Sequence, residues 1–500
     1  MAAESWQDRY WINTLSNYAR VVLRLLSGVV LFRLTFQFLG PEAFGFYSLL
    51  WSLFGFTVLM DFGLGFTVQR AIAQASATGD FARASRLVAT VFWSFTGIAV
   101  LVVLAATVGG GWFLDWVHVP VEKRTEFHQA LQIFFVFLAL GFPCGLFPEM
   151  LRGLQRIDLV NWLQIGGLLL NFGLLTLALA QHWSFSLVML ISVATSVLPG
   201  AAAAVLVFSR APGLSLRPAL FEPASIRSVL SFSLVAYLIT FTNLIMARTD
   251  QAVISFSIGV AMVAAYQAGY KSAEMFGLFS TQLQDALTPA AAQLHARGDQ
   301  AGVLALLLAS TRMTTALVVP LGALCAFYLE PLVRVLTGLK QVDQATLVVG
   351  WALIAATLSS LLSSSCSKRI LMMCGWERKL MWASLVDAGA NLVLSLVLVR
   401  SLGIAGVAIG TFVPTLLVGW LWILPLTAKF SHLSTGRFLA TAYLPAWRTL
   451  LAAGVMLGLL LWLAPAAPNA GLWALAWRGA LVGGVTLLTG WPLIKAVRHG

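Results

Sequence analysis

Arg86–Gly109 reads RLVATVFWSFTGIAVLVVLAATVG: one basic residue at the start, then no charge. A helix rises 1.5 Å per residue, so about 20 such residues cross the hydrocarbon of a bilayer. The run is long enough to span. Comparable runs recur on both sides of it, separated only by short polar breaks. They place helices at roughly 18 to 39, 44 to 70, 128 to 151, 161 to 181, 184 to 208, 228 to 248 and 255 to 284. Further runs fall at 311 to 330, 342 to 366, 382 to 400, 403 to 427, 449 to 465 and 472 to 494. The expected fold is an all-α polytopic membrane protein of about 14 transmembrane helices. The whole composition agrees: of 500 residues, 59% are hydrophobic and 10% charged, far outside the range of soluble domains.

An even number of spans puts both termini on one side. Alternate loops collect Arg70, Arg83, Arg86, Arg152, Arg156, Arg210 and Arg217 in the first half of the chain. Lys368, Arg369, Arg378, Lys379, Lys429 and Arg437 follow on the same side. The opposite side holds little beyond Lys123, Arg124, Arg248, Arg334, Lys340 and Arg400. Short cytoplasmic loops retain Lys and Arg, so the basic side and both termini are expected in the cytoplasm. The net charge of +12 is therefore a topology signal, and no nucleic-acid partner is expected. Cys144, Cys325, Cys366 and Cys374 lie in or beside apolar helices and read as free thiols. The first 17 residues lack the basic stretch, apolar core and cleavage site of a signal peptide. Trp6, Tyr10 and Trp11 suit a membrane surface.

Gly40–Tyr47 reads GPEAFGFY and Gly259–Tyr266 reads GVAMVAAY, about 219 residues apart. In both, a Gly at the outer end of one helix precedes by seven residues a Tyr early in the next. Together with matching helix counts this suggests two six-helix lobes, 1–227 and 228–430, followed by an extra helix pair in 431–500. Repeated bundles generally hold their substrate between repeats, near the membrane midplane.

Catalytic constellations are missing from the sequence. The six histidines are scattered, no His-Glu pair has metal-binding spacing, and no Gly-rich loop ends in Lys-Ser or Lys-Thr. No cofactor is expected. What remains is a small set of charges inside apolar runs, each costing roughly 3 kcal/mol at a helix centre and so expected to face protein or water. In helix 1, Arg20 and Arg24 share a face and Arg33 lies about two and a half turns farther out. Arg24 either lines a cavity or pairs with Asp61 of helix 2. Arg248 and Asp250 are expected at the outer turn after helix 7. Lys271 and Glu274 in helix 8 either neutralise each other or, with Tyr266 and Tyr270, present polar groups to a ligand. Asp387, one turn before Asn391, is an ion-coupling or helix-contact candidate. Arg312 and Arg478 are expected to snorkel to the interface.

The stretch LGPEAFGFYSLLWSLFGFTVLMDFGLG (Leu39–Gly65) resembles the second-helix signature of the polysaccharide-repeat, Wzx-like flippases. The resemblance continues in LRGLQRIDLVNW (Leu151–Trp162), in RTDQAVISFSIGVAMVAAYQAGYK (Arg248–Lys271) and in TPAAAQLHARGD (Thr288–Asp299). It implies the multidrug/oligosaccharidyl-lipid/polysaccharide exporter fold, with two pseudo-symmetric lobes in a V shape and an optional final helix pair. It also implies a flippase that moves a polyprenyl-diphosphate-linked oligosaccharide repeat to the periplasmic leaflet by alternating access, for surface polysaccharide, lipopolysaccharide or exopolysaccharide. Membrane lipids, a polysaccharide polymerase and other assembly proteins are the implied partners, in a bacterial inner membrane. Basic cavity residues engage the diphosphate in such proteins. Here Arg24, Arg33, Arg248 and Lys271 stand at matching positions, with Tyr270 beside them, while Asp61, Asp250, Glu274 and Asp387 are the candidates for ion coupling or structural pairing. Many relatives carry Arg where this chain has Gln37, three residues before the Gly-Pro.

A diphosphate with its sugars cannot cross hydrocarbon unaided, and Arg matches phosphate oxygens with a planar fork of donors. Two negative charges moving outward across about 100 mV would release about 4.6 kcal/mol, so membrane potential or a Na⁺ or H⁺ gradient suffices as the drive. The competing readings are a drug exporter of the same fold, a lipid II flippase, and a membrane-embedded polymerase or ligase. The polymerase reading calls for a large outer loop, and the longest here, about 110 to 127, is short.

Overall fold

The computed structural model describes residues 6–55, 64–222, 234–282, 287, 291, 294–295, 297–463 and 471–499. Within these the chain is helical, with no strand. The long helices are α1 (Trp6–Gly55), α2 (Leu64–Thr78), α3 (Phe81–Trp116), α4 (Arg124–Gly153), α5 (Ile157–Ala180), α6 (Phe185–Arg210), α7 (Leu234–Ile258), α8 (Ala261–Gln282) and α9 (Gln300–Phe327). They continue as α10 (Leu329–Thr337), α11 (Gln344–Ser360), α12 (Cys366–Met373), α13 (Glu377–Val418), α14 (Leu424–Phe430), α15 (Thr435–Ala442), α16 (Trp447–Leu463) and α17 (Leu472–His499). Among the described residues nine segments are long and apolar enough to cross a membrane, two of them of double length.

Those two break at glycines in conformations that L side chains rarely adopt. Gly40 (φ 75°) interrupts α1 and Gly403 (φ 58°) interrupts α13, each turning one continuous segment into two arms. Pro41 follows Gly40, its fixed φ suited to a first helical position. With both double segments divided, and α7, α8 and α17 counted with them, the described residues hold fourteen long helices, in keeping with a polytopic all-α membrane protein.

Helix ends depart from the hydropathy windows where polar residues continue a helix that the window cuts off. The first helix already begins at Trp6, and α9 begins at Gln300 behind an Asp299 cap whose carboxylate accepts from the Gly302 amide at 2.8 Å. Arg312 therefore lies well inside α9, where its Nε donates to the Thr441 carbonyl at 3.0 Å. The larger correction concerns α7. It runs to Ile258, and the turn falls at Gly259 (φ 100°), so Arg248 and Asp250 lie in the helix body and not in an outer loop. Asp and Arg lower a hydropathy average without ending a helix.

The chain divides into two compact units, Met1–Tyr237 with Gly259–Ala261, and Leu238–Ile258 with Met262–Gly500. The turn at 259–261 belongs with the first because the Val260 amide donates to the Val117 carbonyl at 3.3 Å. In the first unit Val68, Ile72, Val88, Leu146, Met150 and Val207 form a core joining α2, α3, α4 and α6. Leu31 and Leu34 of α1 pack on Leu175, Leu179 and Val188 of α5 and α6. In the second unit Leu307, Ile370, Leu424 and Phe438 join α9, α12, α14 and the short α15. Many large apolar side chains point outward, such as Val108, Trp112, Leu421 and Trp473. That is what a lipid solvent requires.

Candidate functional site

In the first unit the charges that matter sit on one face of α1. Arg20 donates through its guanidinium to Gln164 of α5, and one turn below, Asn161 donates to the buried Ser16 hydroxyl at 2.9 Å. These bonds fix the lower arm of α1 against α5. Arg20 also feels the charges of Arg24 and of Arg152 at the end of α4, so three guanidinium groups gather there. Arg152 pairs with Glu149, and Arg156 nearby pairs with Asp158 at 2.9 Å. Arg24 itself is exposed. Its face carries the buried Ser27 one turn on and then Leu31, which packs in the core.

Arg33 is placed differently. Nine residues at about 100° each amount to two and a half turns, so Arg33 lies on the side of the straight arm opposite Arg24. It shares its stripe with Val22 and Leu26, which are 53% and 63% exposed. Arg24 and Arg33 do not line one surface. Asp61 falls outside the described residues.

The second unit contains a buried polar seam. Asp250 of α7, only 7% exposed, accepts hydrogen bonds at Oδ2 from the Tyr266 hydroxyl and from Thr411 Oγ1, the latter at 3.2 Å. Asn391 Nδ2 donates to the same Thr411 oxygen at 2.9 Å. The two arms of α13, antiparallel around Gly403, carry further rungs: Ser395 Oγ to the Val407 carbonyl at 3.3 Å and Thr415 Oγ1 to Asp387 Oδ1 at 3.5 Å. Asp387 and Asn391 are 3% and 0% exposed. With hydroxyl donors already committed to Asp250 Oδ2, its Oδ1 and the Asn391 Oδ1 remain buried without a hydrogen-bond partner among the described residues. A buried acceptor left unpaired costs about 1 to 3 kcal/mol. Two such oxygens beside one threonine suit a small cation.

Of the remaining sequence candidates, Lys271 and Glu274 pair with each other at 2.7 Å. Tyr270 stacks on Tyr266 with centroids 6.3 Å apart and interacts electrostatically with Arg248 and Glu274. The Tyr266 hydroxyl is committed to Asp250 and is not presented to a ligand. Arg478 does not snorkel. It is 7% exposed, its guanidinium lying 4.7 Å from the Trp477 ring centre and 5.6 Å from that of Tyr328.

Sequence reading missed Gln164, Arg152, Thr411 and Thr415 as site members. The first two belong to a loop tally or a polar helix face, and nothing in linear spacing ties them to α1. The threonines fit any membrane helix. A signal existed for the seam all the same: Asp387 and Asn391 at i, i+4 face Thr415 and Thr411 at i, i−4 across a glycine break, the pattern of a hairpin with matched polar rungs.

The chain is an all-α membrane protein whose arginine group lies in the first unit and whose buried acidic seam lies in the second. The sequence profile of the family described as polysaccharide biosynthesis protein matches residues 11–295, and the chain belongs to that family. No curated protein matches the sequence at a significant level. Among solved structures, the lipid II flippase MurJ in an inward closed conformation superposes with a TM-score of 0.72 at 14% identity, over 96% of this chain and 99% of that one. An inward-facing multidrug resistance MATE family transporter of the MOP superfamily gives 0.63 at 13% identity, over 83% and 96%. A MOP superfamily transporter from Pyrococcus furiosus, described as having a binding pocket of reverse polarity, gives 0.53 at 14% identity, over 87% and 93%. At such identities the likeness is one of fold. The family is one of polysaccharide biosynthesis, and the fold is shared with membrane transporters of known structure.

Proposed function

We propose that the protein flips a polyprenyl-diphosphate-linked oligosaccharide repeat from the cytoplasmic to the periplasmic leaflet of a bacterial inner membrane, by alternating access and with both termini cytoplasmic. The product feeds surface polysaccharide, lipopolysaccharide or exopolysaccharide assembly, with a polymerase and other assembly proteins downstream. The observation that carries this reading is the group of Arg20, Arg24 and Arg152 in the first unit. Three guanidinium groups gathered at the basic end of membrane helices favour an anion there even with Arg20 bonded to Gln164 and Arg152 paired with Glu149. A diphosphate supplies the charge and the acceptor geometry, while its isoprenoid tail stays in lipid. A cationic drug would be repelled.

For the drive, the second unit supports coupling to a cation. Asp250 Oδ1 and Asn391 Oδ1, with Thr411 between them, offer a carboxylate and a carbonyl to Na⁺ or a proton. Cation movement down its gradient, or the membrane potential acting on the diphosphate, then powers the flip.

Deletion of the gene, in a strain without a paralogue, is expected to leave lipid-linked oligosaccharide on the cytoplasmic leaflet and to remove surface polysaccharide. Arg24→Ala should do the same at unchanged membrane levels. Normal surface polysaccharide in the deletion strain would overturn the reading.

A further inference from the structure

Between α14 and α16 the chain runs through residues 431–446, more than the 2 to 8 or so that a connection between neighbouring helices of a bundle takes. The extra length is folded. Ser434 caps α15, its hydroxyl accepting from the Arg437 amide at 3.3 Å, and a 3₁₀ turn, Leu444–Ala446, leads into α16. Phe438 and Ala442, one turn apart on α15, are 1% and 0% exposed, and both join the core of Leu307, Ile370 and Leu424. Hydrogen bonds hold the segment down as well. Arg312 of α9 donates to the Thr441 carbonyl, and the Tyr443 hydroxyl donates to the Leu362 carbonyl at 2.7 Å. That carbonyl lies in a π-helical turn, Leu361–Ser365, where the regular pairing of a helix is interrupted. Tyr443 supplies a donor to this irregular turn and at the same time seats α15 on the span.

The other side of the segment faces away from the protein. At about 100° per residue, Arg437 and Ala440 fall on the side of α15 opposite Phe438 and Ala442, and both are exposed. Leu444 and Trp447 follow, with Arg448 exposed and its guanidinium 5.5 Å from the Trp447 ring centre. Apolar, aromatic and cationic groups on one outer surface are the make-up of a segment lying in the headgroup plane. A second group of the same kind adjoins it. Trp376, just before α13, meets Phe430 at the end of α14 edge to face with centroids 5.5 Å apart, and Lys379 Nζ lies 3.6 Å from the Trp376 ring centre. Arg378, and Lys429 next to Phe430, are exposed. Among the described residues none of Arg378, Lys379, Lys429, Arg437 and Arg448 takes part in an ion pair, whereas Arg152 and Arg156 of the first unit each have a carboxylate partner.

We propose that this face of the second unit binds an anionic phospholipid, its phosphate held by Arg437, Arg448 and the neighbouring lysines while Leu444 and Trp447 enter the boundary of the acyl chains. Charge complementarity selects the occupant. A zwitterionic lipid would cover Leu444 and Trp447 but bring no net negative charge to five unpaired cations. An acidic protein would match the cations and leave the apolar side chains without hydrocarbon. Arginine meets phosphate oxygens with a planar fork of donors, and the two tryptophan rings keep their cations at headgroup depth. The inference goes beyond the flippase reading and shares no residue with the arginine group of the first unit. Because Arg312 and Tyr443 tie α15 to two spans, a lipid seated there also steadies the ends of those spans.

The test titrates full-length protein, purified in dodecyl maltoside, with phosphatidylglycerol and in parallel with phosphatidylcholine, and reads the unfolding temperature at each concentration. Phosphatidylglycerol should raise it with a saturable midpoint and phosphatidylcholine should not. At 1 M NaCl, where the screening length is about 3 Å, most of the effect should vanish. Arg437→Gln combined with Arg448→Gln should weaken the midpoint about twenty-five-fold, about fivefold for each cation removed from an anionic surface. Lysine at both positions should keep it within about threefold. Arg83→Gln combined with Arg86→Gln removes the same charge from two exposed arginines of the first unit and should leave the midpoint where it was. Should the Arg437 pair fail to fold, Lys379→Gln combined with Lys429→Gln decides in its place. An equal response to phosphatidylcholine, an unchanged midpoint in the deciding pair, or an equal loss in the first-unit control overturns the proposal. No cargo enters the measurement, so failure to flip lipid-linked oligosaccharide would sink the flippase reading and leave this result standing.

Discussion

Asn171 and Asn391, 220 positions apart, make the same bond: each amide nitrogen donates to a threonine hydroxyl on the helix that follows, Thr195 at 2.8 Å and Thr411 at 2.9 Å. Tyr47 and Tyr266, 219 apart, likewise both direct their hydroxyls to a polar group inside their own unit, Ser192 in one and Asp250 in the other. The internal repeat thus extends from a pair of outer turns into the interior of both units. Where the units differ is informative. Asp250 corresponds by this offset to Leu31, part of an apolar core, and the Asp387–Thr415 rung corresponds to Gly167 packed on Pro199. Both acids of the seam belong to the second unit, while the arginine group belongs to the first.

Asp250→Asn keeps the size and the acceptor of the carboxylate while removing its charge. The Tyr266 and Thr411 bonds survive, so membrane levels should match wild type. Flipping in proteoliposomes should lose its dependence on a Na⁺ or H⁺ gradient and fall at least about tenfold, as for loss of a charged hydrogen-bond partner. Retention of a full gradient-dependent rate would remove Asp250 from the coupling site.

The geometry of α1 separates two arginines that sequence reading groups together. Arg24→Ala should lower flipping about tenfold or more, the scale of a lost charge-assisted hydrogen bond to phosphate. Arg33→Ala, on the opposite stripe, should stay within about twofold, as surface substitutions generally do. Surface polysaccharide per unit of membrane protein reads both. Equal losses would place the cargo elsewhere than on the Arg24 face.

Hydropathy made the fourteen helices legible because lipid imposes one rule along the whole chain: about 20 apolar residues per crossing. The same averaging hid what lies inside a helix. Arg248 and Asp250 read as a turn because two charges outweighed their apolar neighbours, although a carboxylate bonded to Tyr266 and Thr411 is stable within the bundle. Arg478 read as a snorkelling residue because the ring that draws it inward across the bundle, Tyr328, is 150 positions away. Local period is written in the sequence. Partners across helices are not.

The burial of Arg478 has a direct consequence for the last helix. Its guanidinium ties α17 to the junction of α9 and α10 through the Tyr328 ring, while on α17 itself it lies over Trp477 and donates to the Ala474 carbonyl at 2.8 Å. Desolvated cation–π contacts contribute up to about 2 kcal/mol. Arg478→Ala should therefore lower the unfolding temperature of the detergent-solubilised protein by several degrees, and Arg478→Lys should fall between. A snorkelling arginine would leave the temperature unchanged.

Packing inside the second unit is set by glycine at one helix crossing, and this gives a test that needs no cargo. A Cβ on Gly269 of α8 would come within 2.6 Å of the Thr346 carbonyl and 2.9 Å of the Gly350 nitrogen, both backbone atoms of α11 that cannot step aside. Small residues at such crossings let backbones approach closely, and in a bilayer that close packing is a main source of helix association. Gly269→Ala should cost about 1 to 3 kcal/mol through overpacking, seen as a lower unfolding temperature and reduced membrane levels, with Gly269→Val worse. Gly97 in α3 is the control, since nothing lies within 4 Å of an added Cβ. There alanine should be neutral or stabilise by up to about 1 kcal/mol, because it restricts the unfolded chain and favours the helix. If both substitutions behave alike, the close approach of α8 and α11 is not what holds the unit together.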